Sequence, residues 1–555
     1  MKEINLKKFG NIRLGLSEDG FKTILINNKP LSHLISWEIK KKLVDKVNNK
    51  IEQDIEYIFI RCNKISNDKK AAFFLSVGGY DWVRKDSWNS PALDEYLQKQ
   101  LSFYFDMSDV NSVKLFDNIS KKNLTAKKII KNFLKNFLKK NFLFFDIFFS
   151  SFIFSLINTI KKKIFYKITT MSFVGERINS FQIINSPNDK IFNIDNTFQV
   201  KIKNFSKFFF KNKPTVYDYI SIIDWLGALK VSIKYFFIWK KFLINTKKNK
   251  RFFNKINNSF AGIFYSVFHY RAVSKYIDAT KPKFILHGGP NNPSVRRVFL
   301  AGSELGVCTV SIYGKVMVRS NMGYRFNKIR MKCDQIGIAD KFFVNTISAR
   351  NVLLQNGVKE SDIKVTDKQI KKKEILNKKL IQKNFILICL TNREKVNSEI
   401  YQYIRKYIDD PNILLLVRAH PLYSLIKQSL FSSSKEFIDV STLTFEEINN
   451  IYCDGNIKFL AVSNYSSALC KALGFGFIPI WLRNLGDSPI LFSEIIDNTG
   501  ESVNTPIEFH NLVNKYFQNI NFENHKETTK IKSNIYIETI LNDQHINEYI
   551  SSLKN

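Results

Sequence analysis

A chain of 555 residues with 85 Lys and Arg against 49 Asp and Glu, a formal net charge of +36, is long enough for two or three domains with separate cores. Its charge favours anionic partners such as acidic lipid, phosphorylated substrates or nucleic acid. The lysines, however, are interleaved with Asn, Ile and Phe throughout, as an AT-rich coding bias would leave them, and no RRM, KH or helix-turn-helix signature accompanies them. Nucleic acid is therefore not the expected partner. Six scattered cysteines, Cys62, Cys308, Cys333, Cys389, Cys453 and Cys470, show no CxxC spacing and argue against a zinc site or a disulfide framework. Several lie in apolar runs, as free thiols do in a reducing, cytosolic setting.

The opening stretch, "MKEINLKKFGNIRLGLSEDG", lacks the apolar core of a signal peptide, so export is not expected. Residues 1–120 read as an irregular α/β piece, with strands at "YIFIRC", "AAFFLSV" and "VKLF" around a helix in "SPALDEYLQKQLSFYF". In "SVGGYDWVRKDSW", Asp81, Arg84, Lys85 and Asp86 sit beside Trp82 and Trp88 after a strand. Acid with aromatic suits a sugar; exposed loop charges beside core indoles read the same way.

Residues 121–280 form a basic, apolar, helical insert. Within residues 121–170, the stretch 141–160 is mostly Phe, Ile, Leu and Ser and has the length that crosses a hydrocarbon core, but Asp146 interrupts it and lysines crowd both ends. A helix lying in the interface explains both facts: rings enter lipid while Lys122, Lys128, Lys139, Lys140, Lys161, Lys162 and Lys163 meet anionic headgroups. A spanning helix and a buried inter-domain helix are the alternatives, since periodicity does not separate them.

Residues 281–366 alternate strand and helix: "KFILHGG", "SVRRVFLAGSELG", "VCTVSIYG", "KFFVN", "ISARNVLLQNG", "IKVTD". The helix after "FVN" has Thr346 or Ser348 as caps and stops at Gly357. A lysine-rich link, 367–384, leads to residues 385–520, where "FILICLT", "NILLLVR", "EFIDVS", "IKFLAV" and "IPIWL" read as strands between amphipathic helices; 521–555 is a helical tail. Continuous apolar strands between helices imply parallel sheets covered on both faces. The expected fold class is thus α/β: two Rossmann-like domains facing a cleft, with an inserted basic apolar helical segment.

Ligands of such sheets bind beyond the carboxyl ends of the strands. There the C-terminal unit offers Asn392 and Arg393 after "FILICLT", Arg418 and His420 at the end of "LLLVRAHP", and Ser466 and Ser467 at a helix start. Free helix N–H groups, hydroxyls, a guanidinium and an imidazole make a phosphate pocket; plain capping by the serines and a structural histidine are the bland readings. In "LHGGPNNP", His287 ends another strand, where the glycines allow a close approach or merely make a tight turn. Walker, GxGxxG, HExxH, GxSxG and kinase motifs are absent from the sequence.

With these residues in view, the chain resembles bacterial surface-carbohydrate (O-antigen and capsule) biosynthesis proteins of the GT-B glycosyltransferase type. The resemblance is carried by "VRAHPLYS", "VSNYSSALCKALGFGFIPIW" and "NLGDSPILF", and extends to "VGGYDWVRKDSWNSPALDEYL", "KFILHGGPNNPSVRRVFLAGSELGVCTVSIYG" and "ADKFFVNTISARNVLLQNGVKESDIKV". It implies that His420, Ser466 and Ser467 hold the phosphate of a nucleotide-sugar donor. Three positions depart from the pattern: Tyr313 and Gly314 stand where relatives usually carry a glutamine-histidine pair, and Lys471 where many carry a glutamate.

The expectation is therefore a metal-independent glycosyltransferase, without a cofactor, on the cytoplasmic face of the cell membrane, passing a sugar to a lipid-linked or growing glycan acceptor. Donor contacts fall to Asn392, Arg393, Arg418, His420, Ser466 and Ser467, and a base in the N-terminal half to Asp81 or His287. A non-catalytic partner in a polysaccharide assembly complex and a basic nucleic-acid-binding protein are the alternatives.

Overall fold

Strands covered on both faces must be apolar at nearly every position, and two sets of such strands organise the chain. The computed structural model describes residues 12–16, 22–26, 29–30, 53, 56–84, 146–160, 170–174, 191–195, 215–246, 260–288, 293–313, 337–366, 383–391, 394–420, 437–452, 457–464, 467–482, 501–518, 548–549 and 552–553. Strands β1 (Ile12–Leu16), β2 (Lys22–Ile26) and β3 (Lys29–Pro30) make a small antiparallel sheet.

The first large sheet comprises β4 (Thr170–Val174), β5 (Ile191–Asp195), β6 (Phe284–Gly288), β7 (Cys308–Tyr313), β8 (Lys341–Val344) and β9 (Ile363–Val365), in the order β5-β4-β6-β7-β8-β9. The second comprises β10 (Asn384–Cys389), β11 (Ile413–Arg418), β12 (Phe437–Asp439), β13 (Phe459–Ser463), β14 (Ile478–Leu482) and β15 (Glu501–Val503), in the order β12-β11-β10-β13-β14-β15. Every pairing in both sheets is parallel. These are two doubly wound, Rossmann-like units, as the strand and helix rhythm predicts.

The helices are α1 (56–66), α2 (Lys69–Arg84), α3 (146–160), α4 (Ile222–Asn245), α5 (Phe260–Thr280), α6 (Pro293–Glu304), α7 (Ile347–Gln355), α8 (Glu394–Ile404), α9 (Phe445–Tyr452), α10 (Ser467–Gly474) and α11 (Pro506–Gln518). Local chemistry sets several of their ends. Ser221 and Asp224 form a capping box at α4: the Ser221 hydroxyl accepts from the Asp224 N–H (3.3 Å) while the Asp224 carboxylate accepts from the Ser221 N–H (3.0 Å). Thr346 caps α7, accepting from the Ala349 N–H at 3.0 Å, and the chain turns out at Gly357 with φ +92°.

In the second unit, alternate residues of each strand feed opposite cores. Ile386, Ile388, Val417, Val462 and Ile480 pack beneath α8 and α11. Phe385, Leu387, Leu416, Ala461 and Trp481 pack beneath α9 and α10. This is the period-two division that a sheet buried on both faces demands.

The N-terminal third departs from expectation. "YIFIRC" and "AAFFLSV" are not strands: they lie in α1 and α2. Short, continuously apolar runs do not distinguish a buried strand from a buried helix, and α4, α5 and α6 all pack against α2. Ala71 to Leu75 are all buried, and the Phe74 ring lies 5.7 Å from Tyr235 and 5.5 Å from Tyr270. The first sheet instead draws β4 and β5 from inside the expected helical insert, 121–280. The expected helix in "SPALDEYLQKQLSFYF", the strand in "VKLF" and most of the 367–384 link lie outside the described residues.

Helix α3 is half core. Ser150, Ser151, Phe154, Ser155 and Asn158 are buried; the Trp225 indole donates to the Ser151 hydroxyl (2.9 Å) and the Asn158 amide to the Tyr217 carbonyl (2.6 Å). Among the described residues no helix is long and apolar enough to cross a membrane. Near the C-terminus, Tyr549 and Leu553 pack on β6, β7 and β8 of the first unit, the Tyr549 ring stacking on Phe343 at 4.7 Å.

Candidate functional site

A parallel sheet whose chain runs outward in both directions from one strand leaves a crevice where the order reverses, beyond the strands' carboxyl ends. In the second unit that point lies between β10 and β13, with β11 on the far side of β10. Cys389 pairs with Arg418 and Ile388 with Val462, so the residues that follow, Thr391, His420 and Asn464, come out within one residue of the same level. Neighbouring strands are about 4.8 Å apart, so the three ends span roughly 10 Å. Helix α10 begins at Ser467, three residues beyond Asn464, so its N-terminal end lies at this edge.

Side chains tie these ends together. The Ser463 hydroxyl, fully buried, donates to the Cys389 carbonyl at 2.7 Å and joins β13 to β10 across the crevice. Asn397 in α8 grips the residue after β10: its Oδ1 accepts from the Thr391 N–H at 2.8 Å and its Nδ2 donates to the Thr391 carbonyl at 3.0 Å. Beyond β11, the Ala419 N–H donates to the Ser441 hydroxyl (2.8 Å), and the Ser441 N–H donates to the Asp439 carboxylate (2.8 Å). Each bond satisfies a backbone group or buried hydroxyl where the sheet ladder stops.

Arg418 is part of this framework. Its guanidinium lies over the Phe445 ring, 4.7 Å from the centroid, and donates to the Leu443 carbonyl, clamping the loop into α9. Burial draws its pKa down from the usual arginine value. His420 follows as a half-buried residue at the crevice rim. Ser467 opens α10, and Lys471 is exposed in that helix. Asn392, Arg393, Ser466 and Gly314 lie outside the described residues.

The first sheet has its own reversal between β4 and β6, where Phe173 pairs with His287. His287 is only 2% exposed; its Nδ1–H donates to the Gly288 carbonyl at 2.9 Å, and burial pulls its pKa down to about 4. It is a neutral core imidazole at the end of a strand. Asp81 falls inside α2, not in a loop after a strand. Asp81 thus stands in a helix for the reason given for "AAFFLSV", whereas His287 ends a strand as expected, with a burial that "LHGG" does not reveal.

A buried polar cluster lies under the same sheet. Arg297 of α6 donates from Nε to His269 Nδ1 (3.2 Å) and from Nη1 to the Ser266 hydroxyl (3.1 Å), with the Tyr265 ring 5.9 Å away. Burial first, and the adjacent Arg297 charge second, hold the His269 pKa well below the ordinary imidazole value. Burial also pushes the Cys62 and Cys389 thiols up to about 12, so these are inert core sulfurs. Among the described residues no group of three or more His, Cys, Asp or Glu is placed to hold a metal ion.

Asn397, Ser463 and Ser441 had escaped notice in the sequence. The one available signal was Asn397 sharing its i, i+3, i+7 spacing with Ile400 and Ile404, a polar residue on the face that α8 buries.

No family model matches the sequence, and no curated protein matches it. Solved structures similar to this chain include the S. aureus MnaA–UDP co-structure, at 14% identity over 70% of this chain and 96% of that chain, with a TM-score of 0.40. Another is a UDP-GlcNAc 2-epimerase from Neisseria meningitidis bound to UDP-GlcNAc, at 13% identity over 70% of this chain and 100% of that chain, TM-score 0.37. A third is CalG4, the calicheamicin glycosyltransferase, at 8% identity over 70% of this chain and 98% of that chain, TM-score 0.39. The two-unit, Rossmann-like α/β architecture of this protein rests on its own strand order and register.

Proposed function

We propose that this protein is a glycosyltransferase that moves a sugar from a nucleotide-sugar donor to a lipid-linked or growing surface polysaccharide, in O-antigen or capsule biosynthesis. The observation that supports the reading most is the crevice of the second unit, where three strand ends emerge at one level beside the start of α10. In this reading the donor's phosphate lies against the N–H groups of α10, with Ser466 and Ser467, while His420, Asn392 and Arg393 donate from the neighbouring loops. As the bond between the anomeric carbon and the phosphate oxygen breaks, the departing nucleotide gains negative charge, and donors fixed in advance stabilise it without reorganising. The acceptor oxygen takes the anomeric carbon and gives its proton to a general base. Arg418 acts indirectly, holding the β11 end in place through Leu443 and Phe445.

The protein works peripherally at the inner face of the cell membrane, with residues 121–170 facing lipid. A second reading, a non-catalytic partner in polysaccharide assembly, draws on Lys471, which is exposed in α10 where related sequences carry a donor-holding glutamate. Thermal shift with UDP, CMP, GDP and CDP compounds, and with their sugars, separates the two. A nucleotide-dependent shift that His420→Ala reduces, with a transferase rate at least tenfold lower and an unchanged melt, supports the enzyme. No shift with any nucleotide favours the partner reading. Unfolding of the variant makes His420 a structural residue.

A further inference from the structure

Of the fifteen large hydrophobic side chains that stand exposed among the described residues, ten lie on α3 and α4. On α3 they are Phe149, Phe152, Ile153, Leu156 and Ile160, opposite the serines that face the core. On α4 they are Ile223, Leu226, Ile233, Phe237 and Ile244, with Ile223 and Ile244 75% exposed and Phe237 66% exposed. The two helices touch: Phe152 lies 5.2 Å from Trp225, and the Thr159 hydroxyl accepts from the Ile222 N–H at 3.0 Å. The two helices thus meet at the N-terminal turn of α4.

At about 100° per residue, Leu226, Ile233, Phe237 and Ile244 fall within about 40° of one another on α4. Lys230, Lys234 and Lys241 border this stripe on one flank and Lys240 on the other, and all four are exposed. The only acid of the helix, Asp224, is buried in its capping box, and the exposed positions of α3 carry no charge. A stripe of aliphatic and aromatic side chains between rows of lysine, on a helix about 36 Å long, has the chemistry of a surface that lies flat on an anionic bilayer.

We propose that the exposed faces of α3 and α4 together form the protein's docking surface for an anionic membrane, with α4 as its longer arm. The proposal deepens the membrane reading of residues 121–170 and extends it to 222–245. A second copy of the chain fits the face less well. The exposed α4 positions 223, 226, 230, 233, 237, 240 and 244 follow a 3-4 spacing, but Lys230 and Lys240 would be desolvated in such a seam, with lysine meeting lysine. At a bilayer the same side chains lay their stems along the apolar stripe and reach the headgroup phosphates.

The test is co-sedimentation of the full chain with phosphatidylcholine vesicles and with vesicles made anionic by about 30% phosphatidylglycerol. The full chain is expected to pellet with the anionic vesicles and to be released by salt. Ile233→Ser/Phe237→Ser/Ile244→Ser should weaken this binding at least tenfold, leaving the melt and any nucleotide shift unchanged. Lys230→Gln/Lys241→Gln should lose the preference for anionic lipid. Equal binding by the triple serine variant overturns the role of α4 while leaving that of α3, which Phe149→Ser/Ile153→Ser/Ile160→Ser tests. A chain that never pellets overturns both. A chain that dimerises through Phe237 without binding vesicles overturns the proposal in favour of a second copy. Vesicle binding without any nucleotide shift sinks the transferase reading and leaves the docking surface standing.

Discussion

Acidification should destabilise the first unit through His287, and the size of the effect follows from its surroundings. Buried at the end of β6, with Nδ1–H committed to the Gly288 carbonyl, the imidazole has a pKa of about 4, against 6.5 when unfolded. The folded value is the lower one, so between these two pH values the unfolded chain binds a proton that the folded chain refuses. The stabilisation is complete above about pH 6.5 and drains away as pH falls toward 4. Each pH unit in that window removes up to about 1.4 kcal/mol, so going from pH 8 to pH 5 costs about 2 kcal/mol from this residue. His269, depressed in the same direction by burial and by Arg297, steepens the loss. Urea unfolding followed by tryptophan fluorescence, repeated between pH 8 and 5, reads the effect as a falling midpoint. His287→Leu should flatten the pH dependence by about 2 kcal/mol across that range, whatever it does to stability at pH 8. If the variant keeps the full slope of the parent, the buried neutral imidazole is not its source and the reasoning fails.

Gly302→Ala should destabilise the packing of α6 on the first sheet. The new Cβ would lie 2.5 Å from Thr309 Cγ2 and 2.9 Å from Ile285 Cδ1. Thr309 cannot yield, because its hydroxyl and its N–H both donate to the Asp340 carboxylate at 2.8 Å. A loss of about 1–3 kcal/mol in urea unfolding is expected. Asn397→Leu leaves the Thr391 N–H and carbonyl without their partner; it should cost about 1–3 kcal/mol and weaken any nucleotide shift, and an unchanged melt would show that the loop finds other partners. Arg418→Met removes the clamp on Leu443 and Phe445. It should lower stability by about 1–2 kcal/mol while changing nucleotide affinity less than threefold; a tenfold loss of affinity with an unchanged melt would return Arg418 to the phosphate.

The alternation of strand and helix across 284–366 and 384–482 was legible in the amino acids because parallel strands covered on both faces are unbroken apolar runs, and because Thr346 and Gly357 mark helix ends by their own local chemistry. The ends of the strands followed from the same pattern, and with them the positions of His420 and the start of α10. Local pattern could not assign α1 and α2. There an apolar run is helical because α4, α5 and α6 surround it, and the Phe73 and Phe74 rings read the same in a strand or a helix. Nor could it assign β4, whose place depends on Thr170 to Phe173 pairing with Phe284 to His287 more than a hundred residues later. Burial and side-chain contacts are likewise properties of the assembled chain: His287 is only 2% exposed at the end of β6, and the Arg418 guanidinium lies over Phe445 and donates to the Leu443 carbonyl. Composition and spacing set which residues could meet at the crevice, and tertiary packing decided which way each side chain was left free to act.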